Sequence, residues 1–310
     1  MQTLSFILIC GFAFAGPLRD RILERRNAHE ENEYMEDDAD AKGPAYLPAE
    51  IRVERDVPYG SDDRQKFDVY HIPGKSKNAP VIFMVHGGAW IIGDKTSRAV
   101  VENKVSRWVP IGFVFVSANY PMLPQADPLE QAKNVVRAIA KAQEKAPSWG
   151  ADPAKFILMG HSAGAHLVSL ITTDPLISSR VVSTLWLGTV SLDSAALDIV
   201  QIMGSKHFGF YDRAFGSDKK YWESVSPFHT LKNKGQPILL VCSSRRKDSC
   251  SQANKFALKA KSLGMKASLL KQDLSHRDVN RTLGKDSPYT RAVESFLSSL
   301  DETTAKLLNR

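Results

Sequence analysis

The chain has 310 residues, 43% of them hydrophobic and 24% charged, with a formal net charge of +7. That length suits one large α/β domain or two small ones, and the composition excludes a fibrous protein or a chain disordered throughout. No apolar run approaches the ~18 residues of a membrane span, and no basic–aromatic nucleic-acid module is visible.

Leu4 to Ala15 is apolar and ends in Ala13-Phe14-Ala15, a small-x-small pattern ahead of Gly16. Its length predicts a signal peptide over residues 1–15 and hence a secreted or periplasmic protein, although residues 1–3 carry no Lys or Arg. Residues 16–45 hold five basic and nine acidic residues and almost nothing apolar, which predicts a solvated charged linker. The rest of the chain then carries 36 basic and 25 acidic residues, a net +11. Its lysines are dispersed, which reads as solubility charge rather than as a surface for acidic polymers.

The body, residues 46–302, alternates short apolar runs with helix-length segments. Ile51–Val57 and Lys66–His71 read as an antiparallel lead-in. Val81–Val85 is a continuous apolar run, as expected of a strand buried on both faces. Phe113–Ser117, Phe156–Met159, Thr184–Leu187, Ile238–Val241 and Ala267–Lys271 repeat that signature. Helices are predicted over about 96–109, 128–145, 163–173 and 251–263, the second entered at Pro128. This alternation predicts an α/β fold: a mostly parallel central sheet with helices on both faces. Residues 193–233 break the rhythm with seven aromatics and no sustained period, and are expected to form a small cap-like, pocket-lining insert. Cys242 and Cys250 lie eight apart; an oxidising compartment would let them pair, but spacing alone leaves a disulfide open.

Gly160-His161-Ser162-Ala163-Gly164 stands between an apolar run and a helical one. A serine on such a strand–turn–helix reversal is a nucleophile candidate, with the glycines permitting the tight turn. Alone, the pentapeptide is a common coincidence. It gains weight from what lies at the other strand ends. His276, in a polar loop after the last strand, is the candidate base. Asp248, after the Ile238–Val241 strand, is the best candidate acid; Asp193 is a rival, and Asp273 and Asp278 lie too near His276 in sequence. The order Ser162, Asp248, His276 differs from the trypsin and subtilisin orders. His86-Gly87-Gly88-Ala89-Trp90 follows the Val81–Val85 strand, where amides of Gly88 and Ala89, with that of Ala163, are positioned to hold an oxyanion. Trp90 is read as a wall, and His86 and His161 as supports for their turns.

With HGGAW, GHSAG, the lead-in Tyr59…Arg64-Gln65-Lys66-Phe67-Asp68-Val69-Tyr70 and Gly150-Ala151-Asp152-Pro153, the chain resembles α/β-hydrolase serine esterases near the hormone-sensitive-lipase-like and arylformamidase-like groups. The resemblance covers about residues 50–300. It implies the α/β-hydrolase fold and the same nucleophile, acid, base and oxyanion positions. It implies cleavage of small or medium carboxylic esters through an acyl-enzyme, with no cofactor or metal and a small-molecule ester as partner. The alternatives are an arylformamidase-type amide hydrolase and a non-catalytic binding protein that has kept the fold.

Overall fold

The computed structural model describes residues 45–309; the expected signal peptide and nearly all of the charged linker lie outside the described residues. Eight strands form one sheet in the order β1-β2-β4-β3-β5-β6-β7-β8. They are β1 (Arg52–Pro58), β2 (Lys66–His71), β3 (Ala79–Val85), β4 (Val114–Ala118), β5 (Ala151–His161), β6 (Gly188–Leu192), β7 (Ile238–Ser243) and β8 (Ala267–Gln272). β2 runs antiparallel to both of its neighbours, and every other pairing is parallel.

β3 is buried at every position, and its two faces divide the core with the two-residue period of a pleated strand. Val81, Phe83 and Val85 belong to one apolar cluster, while Ile82 and Met84 belong to the other. The helices around the sheet include α1 (Arg98–Trp108), α2 (Pro128–Lys145), α3 (Ala163–Thr173), α4 (Ser249–Ser262), α5 (His276–Arg281), α6 (Pro288–Ser298) and α7 (Glu302–Leu308). α2 and α3 cover the first face; α1, α6 and α7 cover the second. α2 starts where its sequence says it should: the Asp127 carboxylate accepts from the Glu130 amide at 2.9 Å, and Pro128 occupies the first turn, where no amide donor is needed.

One strand is displaced from its expected place. β6 begins at Gly188, after the apolar run Thr184–Leu187. That run is a decoy: Trp186 is buried in the core while Leu185 is exposed. The true strand is disguised by hydroxyls, which are satisfied internally. Thr189 bonds Thr172 at 2.8 Å, and Ser191 accepts from Ser169 at 3.2 Å. The shift brings the residue after the strand, Asp193, directly to the carboxyl edge of the sheet.

The 193–233 segment holds four short helices, Ile199–Met203, Gly209–Phe215, Lys219–Ser224 and Pro227–Thr230. Phe210, Tyr211 and Phe215 are buried against Trp90. Phe228 instead faces Lys255 and Lys259 on α4.

Candidate functional site

Ser162 sits between β5 and α3 with φ 54° and ψ −118°, a conformation that L-residues avoid. The neighbouring backbone holds it there. Its amide donates to the Leu192 carbonyl at 3.0 Å, and its own carbonyl receives the His166 amide at 3.1 Å. The two motif glycines are required by close approach. A Cβ at Gly160 would lie 2.3 Å from the Gly164 carbonyl oxygen, and one at Gly164 would lie 2.2 Å from that of Val85. Any side chain at either position would push the helix off the strand.

The loop after β3 is equally constrained. Gly88, Ala89 and Trp90 take φ values of 114°, 48° and 63° in succession. The Gly88 carbonyl accepts from Ile91 and Ile92, both at 2.9 Å. Arg64 ties the loop down by donating to the Gly93 carbonyl at 2.7 Å, and Tyr120 does so through the His86 carbonyl at 2.9 Å. Trp90 reaches across to α3, its indole Nε1 donating to His166 Nδ1 at 3.2 Å, while His166 Nε2 donates to the Val225 carbonyl at 2.7 Å. A fully buried imidazole so engaged is neutral: burial pulls His166 down to about 4. Ala89, Trp90, Ser162 and Ala163 line one cavity with Ser194, Ala195, Ala196, Phe210 and Tyr211. Ala163 opens α3, where helix amides have no intrahelical acceptor. The structure therefore brings Ala89 and Ala163 to the cavity beside Ser162; Gly88 adjoins it as the turn residue.

His276 is the first residue of α5. Ser275 caps that helix, accepting from the Asp278 amide at 3.1 Å. Its ring lies against His161, centroids 4.4 Å apart, and His161 Nε2 donates to the His276 carbonyl at 3.0 Å. His161, adjacent to the nucleophile candidate, thus supports the histidine helix as well as its own turn.

The carboxylate that meets His276 is that of Asp193, which corrects the expectation of Asp248 there. Asp193 Oδ2 accepts from His276 Nδ1 at 2.7 Å. Asp193 is fully buried, with φ 55°, and its amide donates to the Val241 carbonyl at 2.8 Å. Its other oxygen accepts from the Ser243 amide at 2.7 Å and from the Ser249 hydroxyl. Arg246 Nη1 donates to Oδ2 at 2.9 Å and to the Asp193 carbonyl at 2.8 Å. Burial pushes the carboxyl pKa up, but the Arg246 charge and the bonds from His276 and Ser249 override it and hold the group far below the usual range. Asp248 is exposed at the start of α4, and its side chain makes no capping bond; its carbonyl serves the helix by accepting from Gln252 at 3.0 Å. Asp273 pairs with Arg245, and Asp278 with Ser275 and Arg281. The loop that Asp248 belongs to still matters, because Ser243, Arg246 and Ser249 all come from it. A Cys242–Cys250 disulfide closes that loop, which resolves the open question of pairing.

The histidine is as unusual as its acid. Burial, the Arg246 guanidinium and His161 pull His276 down to about 4, against the opposing pull of Asp193. Among the described residues there is no group of three or more side chains suited to a metal ion, and no helix is long and apolar enough to cross a membrane.

The BD-FAE family model matches residues 67–179, which hold the lead-in strand, the glycine loop and the serine turn. Esterase LipQ of Mycobacterium tuberculosis is 37% identical over 118 residues, 37% of this chain and 28% of that one. A probable isoprenylcysteine alpha-carbonyl methylesterase of Oryza sativa is 32% identical over 118 residues, 38% of this chain and 28% of its own. Kynurenine formamidase of Danio rerio is 30% identical over 120 residues, 38% and 39% of the two chains. The matched stretch thus spans well under half the length of these curated relatives. Two solved structures extend the likeness to nearly the whole chain. Esterase B from Lactobacillus rhamnosis superposes with a TM-score of 0.69 at 18% identity, covering 94% of this chain and 96% of that one. Esterase 2 from Thermogutta terrifontis, phosphonylated by sarin, gives 0.66 at 18% identity, covering 85% and 98%. The fold is that of the α/β-hydrolases.

Proposed function

We propose that this protein is a serine carboxylic-ester hydrolase, with Ser162 as nucleophile, His276 as base and Asp193 as the acid that orients it. The observation that carries the reading is the 2.7 Å Asp193–His276 pair at the sheet edge that also carries a serine in left-handed backbone. Asp193 receives the Nδ1 proton, which leaves Nε2 as the acceptor the nucleophile needs. In the reaction the Ser162 hydroxyl attacks the ester carbonyl carbon and its proton passes to His276 Nε2. The amides of Ala89 and Ala163, with that of Gly88 in the same turn, receive the oxyanion; each such donor contributes about 3 kcal/mol. Collapse expels the alcohol, which takes the proton back from His276. Water then attacks the acyl-enzyme by the same path and releases the acid.

Bulky Trp90, Phe210 and Tyr211 crowd the cavity beside Ser162. That supports short acyl groups. The likeness to a formamidase keeps formamide cleavage as a second reading, since a formyl group is the smallest acyl of all. The expectation from residues 1–15 makes the protein secreted or periplasmic, and a disulfide suits that compartment.

The test uses purified protein with p-nitrophenyl esters of two to ten acyl carbons, an aryl formamide and a fluorophosphonate label. Labelling at Ser162 and turnover falling steeply beyond four carbons are expected. Full turnover in Ser162→Ala, or no labelling of folded wild-type protein, overturns the assignment; faster cleavage of the formamide selects the second reading.

A further inference from the structure

We propose that Arg246 is a positioning residue that keeps the base in its neutral, proton-accepting form in acidic solution, so that esterase activity extends well below neutrality. This rests on the serine-hydrolase reading above. The guanidinium is only 17% exposed and touches both partners of the pair. Nη1 lies 2.9 Å from Asp193 Oδ2 and 3.0 Å from His276 Nδ1. His276 Nδ1 gives its proton to Asp193, and two donors do not bond each other. Toward the imidazole, Arg246 therefore acts as a positive charge at its edge.

That placement changes what the acid does. An Asp beside a His normally stabilises the imidazolium and raises its pKa. Here the carboxylate charge is largely neutralised by Arg246, and its lone pairs are further occupied by the Ser243 amide and the Ser249 hydroxyl. Asp193 keeps its orienting role and gives up much of its electrostatic one. The surrounding charges do not restore it. His161 on β5 adds to the lowering. Tyr289 on α6, fully buried, and Tyr211 on the cap, with its pKa raised to about 12, are neutral phenols across the working range. On its own helix, Asp278 is engaged by Arg281 and Ser275, with Arg277 adjacent. Lys104 on α1 is spent on the Ala99 and Asn280 carbonyls, the latter at the far end of α5.

The cost is a weaker base at neutral pH, and the gain is a larger neutral fraction in acid. The Cys242–Cys250 disulfide encloses Arg246 in a short covalent loop, which holds the charge in register with the pair.

The experiment compares wild type, R246Q and R246K by kcat/KM against pH on an uncharged short-chain ester, and titrates the His276 ring nitrogens by NMR. In wild type the acid limb should fall near pH 4, the value to which His276 is drawn. In R246Q it should move up by about one unit or more, lowering activity at pH 4.5 relative to neutrality about threefold more than in wild type. R246K, which keeps the charge, should hold the limb near its wild-type position. KM should stay unchanged, because Arg246 touches no substrate. An R246Q limb that does not move while kcat drops evenly at all pH overturns the proposal, as does an equal shift in both variants. Should R246Q fail to fold, the wild-type limb decides alone: a limb at pH 6.5 or above refutes the idea. The NMR titration needs no turnover, so it tests Arg246 even if Ser162→Ala shows that the esterase reading is wrong.

Discussion

Replacing Asp193 with Asn, in parallel with Asp248 with Asn, separates two carboxylates that lie at neighbouring strand ends. The Asp193 carboxylate accepts from Ser243, Ser249, Arg246 and His276. An amide has one acceptor oxygen and a donor NH₂, so the NH₂ must face either Ser243 and Ser249 or Arg246 and His276, and at least one donor then meets another. If the NH₂ turns to His276, the imidazole must switch tautomer, and its Nε2 then carries a proton instead of accepting one. A triad so altered loses about 10⁴-fold in kcat, equivalent to about 5.4 kcal/mol. Stability falls as well, because Arg246 keeps its charge without a counter-ion; breaking a buried pair costs about 3–5 kcal/mol. Asp248→Asn removes no side-chain bond and should leave kcat within about twofold and the melting temperature within a degree or so. The assay is kcat on a short-chain ester, normalised to the folded fraction from circular dichroism and a urea melt. A hundredfold loss in Asp248→Asn with a mild effect in Asp193→Asn would refute the geometry on which the whole site is built.

Three further outcomes follow from the same contacts. His166 and His276 are both buried and drawn to about 4, whereas each titrates near 6.5 in the unfolded chain. The unfolded state thus binds more protons between those values, and stability should fall as pH drops from 6.5 to 4, by about 3 kcal/mol per histidine. Urea melts at pH 7 and pH 4.5 measure this, and equal stabilities would contradict it. Gly164→Ala places a methyl 2.2 Å from the Val85 carbonyl oxygen, so α3 must shift and carry Ser162 with it. A displacement of about 1 Å costs on the order of 100-fold in rate, and near-normal kcat in a folded variant would exclude that strain. Converting Cys242 and Cys250 to Ser frees the loop holding Ser243, Arg246 and Ser249. For so short a loop the loss is about 2–3 kcal/mol, read as a lower melting temperature that reductant reproduces in the wild type; a melting point indifferent to reductant argues against it.

Much of the site is written locally. The pentapeptide around Ser162, the glycines at 87 and 88 and the capped histidine at 276 each depend on neighbours within a few residues, and their conformations follow from that chemistry. The central strands are equally legible, since a strand buried on both faces has only apolar positions to show. β6 is the exception. Its Thr189 and Ser191 look wrong for a buried strand until α3 supplies the hydroxyls that satisfy them. The apolar Leu185-Trp186-Leu187 run therefore takes its place in the pattern, and Asp193 stands there only as a rival to Asp248.

The insert at 193–233 divides in the same way. Its aromatic content marks it as a packing surface, but Phe210 and Tyr211 face the cavity while Phe228 packs under lysines. No local pattern distinguishes them.

By itself, then, the sequence determined the class of fold, the candidate nucleophile and base and the turns that present them, because each is encoded in contiguous residues with their own conformational preferences. Which carboxylate meets the histidine, that an arginine shares it, and that a disulfide encloses the arginine were decided only by tertiary structure. The first two depend on side chains 30 to 83 residues apart in sequence meeting at one sheet edge, and a through-space charge contact has no sequence period to betray it. The third depends on how the loop between two cysteines eight apart folds back.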